Sequence, residues 1–186
     1  MARPAPPEVR ERLHADLQAT ADLPYGDEAV DQLAHALQAG TLAVRAGSRP
    51  AVVAAALLHD IGRSPAVMVA LPGAPHERAG AAYRTRLLGP EVGWLVGAHV
   101  LAKRALVAEE PEYAQRLSPV SVRSLAAQGG AAGPHELARF LRHPLAADAM
   151  RVRRWDDEAK VPDTLTCSLA GLLDIALGSG GSLDPG

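Results

Sequence analysis

Eight consecutive apolar residues, Ala51 to Leu58, run directly into His59-Asp60-Ile61-Gly62. That run is far short of the roughly 20 residues needed to cross a bilayer. Its side chains must therefore be covered by other parts of the same protein. The expected structure is a central helix, opened by Pro50 in its first turn and reaching about Ile61. A histidine beside a carboxylate at the end of such a helix is costly to bury without compensation. A metal centre would compensate, because imidazole binds a single ion and a two-oxygen carboxylate can bridge two. The pair can equally be a polar cap on a helix end.

The rest of the chain follows the same logic. Alanine and leucine dominate, β-branched residues are scattered, and no stretch alternates as a strand would. Proline, glycine and capping residues punctuate the sequence. The expectation is an all-α protein of about nine helices. These run over about Glu8–Thr20, Glu28–Ala46 capped by Asp27, Pro50–Ile61, His76–Leu88, Pro90–Val107, a Ser118-capped helix to Gly129, Pro134–Leu141, Pro144 through Asp156, and Leu165–Leu177. Residues 62–75, with three prolines, are expected to form a loop. Residues 1–177 are expected to form one helical domain with residues 1–7 flexible, and residues 178–186, rich in glycine, a flexible tail.

With 186 residues, 48% of them hydrophobic, the chain can build a core. Its formal charge of −2 argues against a nucleic-acid surface. Arg151, Arg153 and Arg154 are answered at once by Asp156, Asp157 and Glu158. A single cysteine, Cys167, permits no internal disulfide and points to a reducing compartment. No membrane span or signal peptide is visible, so a cytoplasmic location is expected.

Seven histidines are present. His35 lies in Leu33-Ala34-His35-Ala36-Leu37, and His99 within the apolar Leu95–Val100. His76 opens a helix, and Asp156 follows Trp155. Adjacent Asp157 competes for the same role, but Asp156 is favoured because it lies three residues after Arg153, on the same helical face. His14, His135 and His143 lack such settings and are read as surface residues. Other spacings add to the pattern. Glu28 precedes His35 by seven residues, two turns along one helical face, although a glutamate in a first turn also suits the helix dipole. Lys103 follows His99 by four and would repel a metal ion unless an anion lay between them; it could also snorkel to solvent. Ser121, Ser124 and Gln128 form a polar stripe suited to the oxygens of a tetrahedral anion, or a stripe facing solvent.

The order His35, His59-Asp60, His76, His99, Asp156 resembles the HD superfamily over about Tyr25 to Lys160. The segments Leu23-Pro24-Tyr25-Gly26-Asp27-Glu28, Ser124-Leu125-Ala126-Ala127-Gln128-Gly129-Gly130 and Arg153–Pro162 are similar to its mixed-valent di-iron oxygenases, above all the bacterial phosphonate-degrading ones. The resemblance implies an Fe(II)/Fe(III) pair with O2 as co-substrate. One iron would take His35, His59 and Asp156, the other His76 and His99, with Asp60 bridging. Tyr25 and Glu28 would form a lid whose glutamate can occupy an iron position. Lys103, Ser121, Ser124, Gln128 and Arg153 would serve the substrate, with Arg153 alternatively bracing Asp156. At Arg63 the family pattern expects a histidine near the phosphonate. Arginine also binds that group, but its length and permanent charge alter the pocket. The implied reaction oxidises a 1-hydroxyalkylphosphonate at the carbon bearing phosphorus and cleaves the C–P bond, releasing phosphate. A metal-dependent phosphohydrolase and a non-catalytic metal-stabilised binding protein are the alternatives. Tyr25, Trp94 and Trp155 are the few aromatic residues available for a substrate tail.

Overall fold

The computed structural model describes residues 7–178 and is all-α, with no strand among those residues. The helices are α1 (Pro7–Gln18), α2 (Gln32–Arg45), α3 (Pro50–Leu58), α4 (Pro65–Ala70), α5 (His76–Leu88), α6 (Pro90–Glu109), α7 (Pro111–Gln115), α8 (Pro119–Ala127), α9 (Pro134–Leu141), α10 (Ala146–Glu158) and α11 (Leu169–Ala176). A short 3-10 turn, Ile61–Arg63, links α3 to α4. All nine expected helices are present, joined by the short α4 and α7. Proline stands in the first turn of α3, α4, α6, α7, α8 and α9, where its missing N–H leaves no intrahelical bond unmade. Of the expected flexible ends, residues 1–7 and 178–186, residues 1–6 and 179–186 lie outside the described residues; Pro7 opens α1, and the Gly178 amide donates to Ile175 O in the turn after α11.

The apolar run does form the centre. Val52 to Leu58 are buried on α3, which packs against α2, α6, α10 and α11. No helix among the described residues is long and apolar enough to cross a membrane. Helices α5 and α6 form a tight hairpin turned at Gly89. A Cβ on Gly93 would lie 1.9 Å from Thr85 Oγ1 and 3.2 Å from Ala81 O, so α5 packs onto α6 where a side chain at residue 93 would collide. This register brings the start of α5 alongside the middle of α6, and so His76 alongside His99.

Several boundaries depart from the sequence reading. Helix α2 begins at Gln32, not Glu28, and its cap is Asp31, whose Oδ1 accepts from the Ala34 amide at 2.7 Å. Residues 24–31 instead close into a loop. An isolated Pro24–Asp31 bridge and a Gln32 amide bond to Leu23 O at 2.9 Å hold it shut. Helix α3 stops at Leu58, so His59 caps it and Asp60 lies in the turn beyond. The expected loop 62–75 contains α4, capped by Ser64. Helix α10 starts at Ala146 rather than Pro144, because the amides of residues 143 and 146 are used in turns. Helix α11 starts at Leu169, where Ser168 accepts from the Gly171 amide.

Gly62 in the 3-10 turn abuts the first residue of α5, and a Cβ there would lie 1.9 Å from His76 O. A backbone carbonyl cannot step aside as a flexible side chain can. Gly62→Ala should therefore cost about 1–3 kcal/mol of stability and loosen metal binding as His76 moves off Asp60. Denaturant melts together with metal analysis of the purified variant would check both effects.

Candidate metal centre

Four helices and the 3-10 turn converge where α3 ends. Helix α2 supplies His35, the C-cap of α3 His59, the turn Asp60, α5 His76, α6 His99 and α10 Asp156. These residues form two triplets, His35/His59/Asp156 and Asp60/His76/His99. Within each, one potential ligand atom per residue lies within 4.8 Å of the others. His35, His59, His99 and Asp156 are buried.

The ring nitrogens are oriented by backbone carbonyls. His35 Nδ1 donates to Ala159 O (2.7 Å), His59 Nδ1 to Ala56 O (2.8 Å) and His99 Nδ1 to Val96 O (2.6 Å). A carbonyl only accepts, so in each ring the proton sits on Nδ1 and the Nε2 lone pair faces inward. The lone pairs of His35 and His59 meet, their Nε2 atoms 3.0 Å apart, and the His99 Nε2 lone pair faces His76 Nε2 at 3.1 Å. Two neutral acceptors have no reason to approach so closely unless a third body lies between them.

The carboxylates complete the arrangement. Asp156 Oδ1 is 3.4 Å from His35 Nε2 and 3.7 Å from His59 Nε2. Asp60 Oδ1 is 3.0 Å from His76 Nε2 and 3.7 Å from His99 Nε2, while its Oδ2 is 3.8 Å from His59 Nε2. Each oxygen of Asp60 thus faces a different triplet. Asp60 Oδ1 is buried with no well-formed hydrogen bond, its nearest polar neighbours being His76 Nε2 at 3.0 Å and Arg63 Nε at 3.3 Å, an incompletely satisfied state that a cation would relieve. The donor set of imidazole and carboxylate fits a first-row transition ion.

The electrostatics agree with that fit. Burial pushes His99 down to about 3, despite nearby Asp60, and lowers His59 too. Burial works to raise Asp60, but His76, Arg63 and His59 outweigh it and hold the carboxyl well below its usual range. Asp156 is likewise held well below by Arg153 and the histidines against its burial. Neutral imidazoles beside ionised carboxylates are the state in which these side chains bind metal.

Asp156 and Asp157 are separated by their surroundings. Arg153 lies between them, with Nη1 on Asp156 Oδ2 and Nη2 on Asp157 Oδ1. Asp157 also accepts from Tyr113 and faces away from the triplets. Arg153 therefore braces Asp156 while still lining the cavity described next.

That cavity, about 260 Å³, opens onto Asp60, His76, His99 and Asp156. Tyr25, Arg63, Lys103, Ser121, Ser124 and Gln128 all line it. Lys103 Nζ donates to Ser124 Oγ at 2.8 Å, and Gln128 Oε1 is buried without a partner. Burial and Arg153 push the Lys103 ammonium down to about 8. Tyr25 stacks on His35 with ring centroids 3.8 Å apart and donates to Asp156 Oδ1 at 3.0 Å. Arg63 stands at the mouth, its Nε 3.3 Å from Asp60 Oδ1.

Other expected residues lie elsewhere. Glu28 belongs to neither triplet and does not line the cavity. It accepts from Ser118 Oγ at 2.6 Å and sits 3.5 Å from Lys160 Nζ, because the closed 24–31 loop sets its direction. Trp94 stacks on His143 and Phe140, and Trp155 lies against Arg151, both away from the cavity. His143 is thus half-buried in an aromatic stack rather than a plain surface residue, while His135 is exposed and His14 intermediate. Lys160 was given no role from the sequence, yet it lines the cavity and donates to Ser121 Oγ at 3.0 Å.

Comparison with known proteins agrees with this architecture. Residues 33–128 match the HD domain family. The chain is 38% identical over 143 residues to a hydroxymethylphosphonate dioxygenase of Gimesia maris, covering 74% of this chain and 71% of that protein. It is 36% identical over 150 residues to a glycine-betaine-forming 1-hydroxy-2-(trimethylamino)ethylphosphonate dioxygenase of Leisingera caerulea, covering 78% and 76%.

Metal analysis of protein purified with iron should find two ions per chain. His99→Ala should retain about one, because the buried His35/His59/Asp156 triplet survives it. Asp60→Ala should weaken both sites, with circular dichroism confirming that the helices persist. With its two facing His/Asp triplets and its dioxygenase relatives, the chain belongs to the HD domain family.

Proposed function

We propose that this protein is a di-iron oxygenase that uses O2 to oxidise a 1-hydroxyalkylphosphonate at the carbon bearing phosphorus. The C–P bond breaks, and phosphate and an oxidised carbon product leave. With hydroxymethylphosphonate, one O2 and one substrate would give one formate and one phosphate. The observation that carries this reading is the convergence of Lys103, Ser121, Ser124 and Gln128 with both His/Asp triplets on one cavity. The names of the relatives point the same way.

His35, His59 and Asp156 would hold one iron, His76 and His99 the other, and Asp60 both. An Fe(II)/Fe(III) pair there supplies O2 binding and the redox change that side chains of this kind cannot. The protein's own groups do the rest. Lys103, Ser124 and Ser121 offer donors to the phosphonate oxygens, with the buried Gln128 amide beside them. Arg153 keeps Asp156 ionised and oriented, as a support for a metal ligand should. Tyr25 covers the His35 side and holds its hydroxyl on Asp156. The loop that carries Tyr25 is the natural lid, since it lies outside α2 and can open without unwinding it.

A hydrolase would use the same metal triplets but would need no oxidant. Iron-loaded protein should consume O2 with 1-hydroxyphosphonates and release phosphate in equal amounts. Release of phosphate from esters under anaerobic conditions, with no O2 uptake on any phosphonate, would establish the hydrolase instead. Lys103→Ala should raise KM by roughly 10- to 100-fold, as expected for losing a charged hydrogen bond worth about 1.5–3 kcal/mol, while leaving metal content unchanged. The pH profile gives a separate check. Lys103 is positive below about 8 and neutral above it, so kcat/KM should fall as pH rises through that value. Lys103→Ala should abolish that limb.

A further inference from the structure

Lys160 springs from backbone that α2 holds on both sides. The residue before it, Ala159, gives its carbonyl to His35 Nδ1 at 2.7 Å. The residue after it is clamped twice by one side chain. Gln38 Nε2 donates to Val161 O at 3.0 Å, and the Val161 amide donates to Gln38 Oε1 at 3.1 Å. His35 and Gln38 both belong to α2, so residues 159–161 are tied to the helix that carries a proposed metal ligand.

From that base the side chain reaches across to α8 and to the 24–31 loop. Its Nζ donates to Ser121 Oγ at 3.0 Å and lies 3.5 Å from both Ser118 Oγ and Glu28 Oε1. Asp157 Oδ1 is farther off, at 3.9 Å, and is already held by Arg153. Ser118 in turn donates to Glu28 Oε1 at 2.6 Å. The Lys160 and Glu28 side chains are only 11% and 16% exposed, so water screens this pair less than an open surface pair. The loop's other ion pair, Asp27 with Arg123, is well exposed and contributes little. The bridge between residues 24 and 31 closes the loop on itself without tying it to α8 or α10. Tyr25 rides on this loop, stacked on His35 and donating to Asp156.

We propose that Lys160 is a positioning residue: through Glu28 and Ser118 it fastens the 24–31 loop and so holds Tyr25 over the His35 and Asp156 side of the metal centre. Its consequence for turnover rests on the phosphonate-oxygenase reading; its consequence for the loop does not.

Amide hydrogen exchange of the iron-loaded protein, followed anaerobically by mass spectrometry, reads the loop directly. Losing a contact worth about 1 kcal/mol raises local opening roughly fivefold. Lys160→Met should therefore speed exchange of residues 24–31 about fivefold, while residues 51–58 in the core keep the wild-type rate. Glu28→Gln should do the same, which keeps the test standing should Lys160→Met misfold. The double variant should exceed neither single variant, as expected for one shared contact, and Lys160→Arg should restore most of the protection. In turnover with hydroxymethylphosphonate, Lys160→Met and Glu28→Gln should lower kcat by similar factors. Faster exchange in both segments overturns the proposal, because Lys160 would then only stabilise the fold. Unchanged exchange in the loop also overturns it, and with a rise in KM confined to Lys160→Met it makes Lys160 a phosphonate contact instead. Effects of the two substitutions that multiply in the double variant overturn it as well. If wild type consumes no O2 with any phosphonate, the oxygenase reading fails, and the exchange rates still decide the role of Lys160.

Discussion

Three backbone carbonyls, those of Ala56, Val96 and Ala159, decide the chemistry of this molecule. Each takes the Nδ1 proton of a buried histidine and leaves an Nε2 lone pair pointing at the centre. Two of these carbonyls lie on the same helix as their histidine, three residues back, so that α3 and α6 orient their own ligands. The third, from the C-cap of α10, ties His35 on α2 to the helix that carries Asp156. The helical packing and the state of the rings are therefore one constraint. A shift of α10 against α2 would free the His35 ring and displace Asp156 together.

This arrangement is unfavourable by itself. Four imidazoles and two carboxylates gather at the end of the most apolar helix, where ring nitrogens crowd one another and Asp60 Oδ1 has no well-formed hydrogen bond. Metal binding offsets such a cost directly, because ions that bind only the folded state add their binding free energy to its stability. The pocket is thus a place where folding and function share one source of stability. Arg153 limits the penalty for Asp156, while Asp60 relies on His76 and on Arg63 at the mouth.

The parts legible in the sequence were those fixed by local chemistry. The all-α fold followed from composition and from prolines at helix starts, and three of the four histidines that converge, His35, His59 and His99, stand in apolar stretches, while His76 stands at a helix start. The parts that were not legible depended on tertiary contacts. Asp27 and Asp31 are equally good caps in isolation; the bridge between residues 24 and 31 chooses the second. Glu28 was placed near His35 by counting two helical turns, and that count fails because residue 28 is not in the helix. Trp94 precedes His99 by five residues, which is about 140° around α6, so it had to face elsewhere. Lys160 lies beyond the end of α10, where helical periodicity no longer gives a direction.

The charges left over after metal binding explain why the cavity should take an anion at all. Once Asp60 and Asp156 are engaged by cations, Lys103, Arg63 and Lys160 remain around a small space with no carboxylate of their own in its lining. Without substrate these cations repel one another and the metals; Lys103 is in addition lowered by its burial and by Arg153. A doubly charged phosphonate relieves that repulsion, so metal and substrate should each strengthen the other's binding. The same positive excess that draws in the head group acts on every other part of the ligand.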